Sequence, residues 1–274
     1  MSEAASAEPG LSARVPTVIV PVNAQSDLET VNALLGDLQP WMASDVGELI
    51  LVVNNYEREP TDALAAFRQA GLTVIAEPKL VVRHGEVPPI AARAVGARHA
   101  PSGPLVHFDA DARVPHAQEL LAWYATAFRS GAKVASTGIG FHAVPRGWSI
   151  QARIAAHYAA QWTKRVIMRT PVTRGSNYAT DRDLFLEAYD RGMIADELNV
   201  GPALVALGGA YAYGGAPNLR VLTSARRFRP GWRRLAAYLR YRLGYNLRTL
   251  PAGEDAAGRT QRWNDPNDRW DQPS

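Results

Sequence analysis

From Thr17 to Phe108 the chain alternates short, wholly apolar runs with stretches whose apolar residues recur every three or four positions. The first run, Thr17-Val18-Ile19-Val20, is β-rich and stops at Pro21. A helical pattern starts at Asp27, with Leu28, Val31, Leu34, Leu35 and Leu38 on one face. Glu48 to Val53 reads as a second buried strand, closed by Asn54-Asn55. A helix over 61–70 opens at Thr61 and ends at Gly71, and strand Thr73-Val74-Ile75 follows it. A further helix covers Pro89 to His99, and strand Leu105 to Phe108 runs into Asp109. Strands apolar on both faces, alternating with helices, predict an α/β fold: a Rossmann-like, mainly parallel central sheet flanked by helices. Such sheets bind ligands beyond the carboxyl ends of their strands. That rule places Pro21–Gln25, Asn54-Asn55 and Asp109–Asp111 on one rim.

Composition narrows the chemistry. The 274 residues include no cysteine, which excludes disulfides, thiolate catalysis and cysteine-ligated metals. No window approaches a membrane span, and residues 1–16 lack the basic start and apolar run of a signal peptide, so a cytoplasmic location is expected. Residues 1–14 read as a disordered lead and 251–274 as a polar tail. Of 30 cations 27 are arginine, and nine of these lie between Glu197 and Glu254, where there is no acid. Within that block, 230–250 reads as a basic amphipathic helix with Trp232, Leu235, Leu239 and Leu243 on one stripe. It suits docking on the body, on a second subunit as a homodimer, or peripherally on anionic lipid through 230–248.

Asp109-Ala110-Asp111 is the sharpest chemical feature. Two carboxylates one residue apart at the end of a buried strand can share a hard cation, Mg²⁺ or Mn²⁺, that keeps open positions for phosphate oxygens. Around this triplet the chain resembles GT-A glycosyltransferases, in particular the large family 2. The resemblance rests on Thr17–Gln25, Leu51–Asn55, Ala92–Ala100, Phe108–Pro115, Arg174–Ala179 and Asp196–Gly201, in that order. The departures are Asn23-Ala24-Gln25 for Tyr-Asn-Glu, Asn54-Asn55 for an acidic pair, and Asp196-Glu197 for Glu-Asp.

The resemblance implies a metal-dependent enzyme moving a sugar from a nucleotide-diphosphate sugar, a UDP-sugar by preference, to an acceptor hydroxyl. Residues 15–115 would form the nucleotide-sugar half and 116–229 the acceptor half. Asp111 and Asp109 would bind the metal. The nucleotide sugar would be met by Pro21, Val22, Asn23, Gln25, Asn54, Asn55, Arg93, Asp109 and Ala110, with Arg226 and Arg227 near the diphosphate. Gly175, Ser176 and Asn177 would meet the acceptor or donor sugar. Glu197, with Asp196 behind it, would be the general base of an inverting reaction. A retaining enzyme of the phosphoglycerate-glycosylating type would share fold and metal motif without that base. The glycine-rich loop of a nucleotidyltransferase is absent after the first strand. A polyanion- or membrane-binding protein without catalysis would leave the Asp-x-Asp rim without a role, and nucleic acid is not expected as a partner. Trp148, Tyr158 and Trp162 read as packing residues, with stacking on the face of a sugar as the alternative.

Overall fold

The computed structural model describes residues 15–225, together with Trp232, Arg233 and Ala236. The expected lead, Arg226, Arg227, the basic helix and the tail therefore fall wholly or largely outside the described residues. The central sheet has seven strands: β1 Thr17–Asn23, β2 Glu48–Asn54, β3 Thr73–Glu77, β4 Pro104–His107, β5 Ala132–Thr137, β7 Tyr178–Asp181 and β8 Ala210–Gly214. Their order is β3-β2-β1-β4-β7-β5-β8, with only β7 antiparallel to its neighbours. A two-stranded parallel sheet pairs β6 Ile139–His142 with β9 Val221–Ser224.

Strand periodicity divides the core between two faces. Val18, Val20, Val22, Leu49, Leu51 and Val53 pack against α1 Val31–Leu38, α2 Thr61–Gln69 and α4 Ala117–Arg129. Ile19, Ile50 and Val52 face the other way, onto α3 Pro88–His99, α6 Arg182–Asp190 and α7 Glu197–Ala206. Both faces of β1 and β2 are covered, which is why these strands read as continuous apolar runs. Gly96 sets how closely α3 lies on the sheet: a Cβ there would stand 2.7 Å from Ile19 Cγ2. Pro88 and Pro89 occupy the first turn of α3, where no intrahelical N–H is needed.

Two boundaries differ from expectation. β1 does not stop at Pro21 but runs to Asn23, with Pro21 in register with Val52. Ile19, of the same parity, turns its carbonyl to the Phe108 N–H, while β4 pairs with β1 only as far as His107. The missing N–H of Pro21 therefore faces a side where the ladder has ended. The first helix starts at Val31 rather than Asp27, because Asn23 and Asp27 close a turn first: the Asn23 and Asp27 N–H groups pair with the Asp27 side chain and Asn23 carbonyl.

Candidate active site

The carboxyl ends of β1, β2 and β4 meet on one rim. Asn23 Oδ1 accepts from the Gln25 N–H at 3.0 Å and from Asn55 Nδ2 at 3.1 Å, so the first two strand ends are joined by side chains. Asn55 is exposed and holds a left-handed φ of 61°, a conformation asparagine tolerates well. Beside it, Ala24, Gln25, Tyr56, Glu57, Arg58 and Pro60 line an open pocket. Asn54 is different: it is buried, and its amide donates to the carbonyls of Val22 and Val52, which stitches β1 to β2. Pro21, Val22 and Ala110 are also buried, which leaves their backbones rather than their side chains at the rim.

The centre of the site is Arg93, on α3 and fully buried. Its Nη2 donates to Asp109 Oδ1 at 2.6 Å and to the Gly175 carbonyl at 2.7 Å, and its Nη1 donates to Glu197 Oε1 at 2.8 Å. One guanidinium thus joins the metal-motif aspartate to the candidate base. Burial works against that charge, but Tyr178, Asp109 and Glu197 outweigh it and raise the Arg93 pKa. This corrects the expected role of Arg93: it is buried beneath the two carboxylates instead of meeting the nucleotide sugar. His107, buried beside it and stacked on Tyr178 at 4.5 Å, is held neutral by burial and by the Arg93 charge, its pKa well below the ordinary histidine value.

Gly175 separates the carboxylates. A Cβ there would come within 2.9 and 3.1 Å of the two Asp109 oxygens and 3.1 Å of Glu197 Cγ. The loop carrying it is pinned by buried Thr173, whose hydroxyl donates to the Glu197 carbonyl at 2.6 Å and accepts from the Gly201 N–H at 3.0 Å. Thr173 was not singled out from the sequence, since an isolated threonine in a loop carries no pattern. The neighbouring residues turn away from the cleft. Ser176 is buried, and Asn177 accepts from Tyr124 and donates to Thr137 and the Gly138 carbonyl, so Asn177 fastens the loop rather than meeting a sugar.

Asp196 and Glu197 divide in role at the start of α7. Asp196 is the buried N-cap, accepting from the Leu198 and Asn199 N–H groups at 2.8 and 2.9 Å. Burial, reinforced by Glu197, pushes its pKa up to about 6 against the pull of the two cap bonds and Lys164. A carboxylate committed to capping has no access to an acceptor, which removes Asp196 as a candidate base. Glu197, one residue on, is partly exposed at the cleft.

Asp111 sits where the small sheet supports the metal-motif loop. Arg113 exchanges backbone hydrogen bonds with Leu222 of β9, and His142 of β6 donates from Nε2 to the Asp111 carbonyl at 3.2 Å. The chain therefore brings Ser224, in register with His142, beside the Asp109–Asp111 segment. Among the described residues no three histidine or acidic side chains gather to hold a metal alone. The donor set nonetheless fits a hard cation completed by phosphate oxygens: two carboxylates one residue apart at a rim, with Gly175 letting the backbone approach Asp109 closely.

No protein-family model matches the sequence, and no curated protein is significantly similar to it in sequence. Solved structures do match. A mannosyltransferase from Pyrobaculum calidifontis, in complex with GDP-Man and Mn²⁺, aligns over 93% of this chain and 71% of its own at 16% identity and a TM-score of 0.56. A glucosyl-3-phosphoglycerate synthase from Mycobacterium tuberculosis, in complex with Mn²⁺, UDP and phosphoglyceric acid, aligns over 85% of this chain and 77% of its own at 17% identity and a TM-score of 0.52. These likenesses extend over most of both chains and show the fold: the chain has the GT-A fold.

Proposed function

We propose that the protein is a glycosyltransferase that takes a sugar from a nucleotide-diphosphate sugar and places it on an acceptor hydroxyl. The observation that carries this reading is the junction of Asp109, Arg93, Gly175 and Glu197, in which one buried guanidinium and one glycine hold the aspartate of the Asp-x-Asp rim close to a partly exposed carboxylate. The fold, and the nucleotide and Mn²⁺ bound by the similar mannosyltransferase and synthase, support it. Asp111 and the remaining oxygen of Asp109 would hold Mg²⁺ or Mn²⁺. When bound, the cation supplies positive charge to the departing diphosphate. The pocket between Gln25 and Tyr56, with Asn55 at its edge, would receive the nucleobase, since amides offer both donor and acceptor.

In the inverting form of the reaction the acceptor oxygen bonds to the sugar C1 as the C1–O bond to the diphosphate breaks, and Glu197 accepts the hydroxyl proton. Arg93 holds Oε1, so Oε2 receives it. A retaining course is the second reading, favoured by that same engagement of Glu197 with Arg93. A thermal-shift screen of UDP-, GDP-, dTDP- and ADP-sugars, with and without Mn²⁺, tests the donor half. A rise in melting temperature with one nucleotide sugar, enlarged by Mn²⁺, is expected; no response to any of them counts against the proposal. The anomeric configuration of the product, read by NMR, separates inversion from retention.

A further inference from the structure

The helix α5, Trp148–Trp162, and the turn of π-helix after it, Thr163–Ile167, are built inside out. Their buried side carries Ser149, Ile150, Arg153, His157 and Lys164. Their exposed side, read from 148 to 167, carries Trp148, Ala155, Tyr158, Ala159, Trp162, Val166 and Ile167, with Gln151 as the one polar residue among them. Trp148 is 71% exposed, Trp162 52% and Ile167 63%. This corrects the expectation that these tryptophans are packing residues. Exposed apolar residues at helical spacing form one continuous stripe, and a stripe of this kind marks an interaction surface.

Charge identifies what the stripe meets. From Leu120 to Thr180 there is no aspartate or glutamate, while eight lysines and arginines lie in that stretch. Arg146 and Arg169, both exposed, flank the two ends of the stripe, and Arg165 lies over the Tyr213 ring at 4.0 Å. An isologous contact between two copies would set the arginines of one copy against those of the other. Residues 226–253 offer no charge complement either, because they hold eight arginines and no acid, and the five acids of 254–274 are interspersed with three arginines. Exposed tryptophans with flanking arginines and no acid complement an anionic lipid surface, where indole rings sit at headgroup level and cations meet the phosphates.

We propose that the exposed face of α5 and its π-helical extension docks on the surface of an anionic lipid bilayer. The inference is independent of the catalytic reading, since it uses neither the rim nor its carboxylates. The test is vesicle co-sedimentation of the full chain with phosphatidylcholine alone and with phosphatidylcholine mixed with phosphatidylglycerol. Binding to the mixed vesicles, weakened by salt, is expected. Trp148→Ser/Trp162→Ser should lower that binding by about tenfold or more, because two large apolar side chains no longer leave water. Ile167→Ser should give a smaller loss. Melting temperature, and any stabilisation by nucleotide with Mn²⁺, should be unchanged in both variants, which separates a failure here from a failure of the catalytic reading. Absence of vesicle binding, or equal binding by the double variant, would overturn the proposal. So would a dimer that the double variant dissolves, or a marked drop in its melting temperature, since either places protein rather than lipid over the stripe.

Discussion

Replacing Asp196 by asparagine separates helix capping from catalysis and does so quantitatively. Asparagine keeps an oxygen for the Leu198 and Asn199 N–H groups and ranks with aspartate as an N-cap, but it carries no charge. In the folded protein the Asp196 pKa rises from 3.8 to about 6, through burial first and the neighbouring Glu197 second. The sign follows from proton counts. Between those two values the folded state holds a proton that the unfolded state has lost, so this group favours folding most below pH 3.8 and loses that contribution as pH rises through about 6. At about 1.4 kcal/mol per pH unit, and with the unfolded group already partly ionised at pH 4, the displacement amounts to roughly 2–2.5 kcal/mol between pH 4 and pH 7.5. Asp196→Asn removes this dependence. The stability of the variant relative to the parent should therefore climb by about 2–2.5 kcal/mol across that range, as measured by urea denaturation at a series of pH values. Transfer activity should persist at neutral pH. A difference that stays flat with pH, or a variant that folds as well as the parent yet has no activity, would refute the assignment of Asp196 as a buried cap.

Arg93→Met removes three charge-assisted hydrogen bonds from a fully buried group and should cost about 3–5 kcal/mol in denaturant unfolding, the scale of breaking a buried ion pair. Arg93→Lys restores the charge but not the fork that spans Asp109 and Glu197, so turnover should stay low even where stability partly recovers. Gly175→Ala puts a methyl within 3.1 Å of both Asp109 oxygens and of Glu197 Cγ; the expected result is a folded protein with at least about tenfold lower turnover, checked by circular dichroism beside a nucleotide-release assay. Gly96→Ala sets a methyl 2.7 Å from Ile19 Cγ2 and should destabilise by about 1–3 kcal/mol despite its better helix propensity, with Gly96→Val worse.

The first half of the fold was legible because β1 and β2 are covered on both faces, and burial on both faces leaves no polar residue inside a strand. Helix α2 and helix α3 were read to within a residue, since Thr61, Gly71 and the paired prolines Pro88 and Pro89 mark their ends. Pro21 misled because a proline in a central strand normally breaks the ladder; only the early end of β4 explains its tolerance, and that is a long-range fact. In the site, Asp109, Glu197 and Gly175 were identified by their spacing and by resemblance, and the structure brings all three around one guanidinium. Arg93 and Asn177 were assigned to ligands but are consumed internally, because a sequence shows that a polar residue is present without showing which partner it finds. Trp148 and Trp162 misled for the converse reason. Their helical spacing marks a stripe but not whether the stripe faces the core, and the polar residues Arg153 and His157 took the buried side instead.

A divalent cation held at the Asp109–Asp111 rim together with a nucleoside diphosphate is the central requirement of the proposed transfer. Electron paramagnetic resonance of Mn²⁺ measures this directly, because the sharp signal of the free ion is lost on binding. With UDP or GDP present, the parent protein should take up one Mn²⁺ per chain, and Asp111→Asn should take up far less while melting at the same temperature. Uptake that ignores the nucleotide, or that survives Asp111→Asn undiminished, would contradict it.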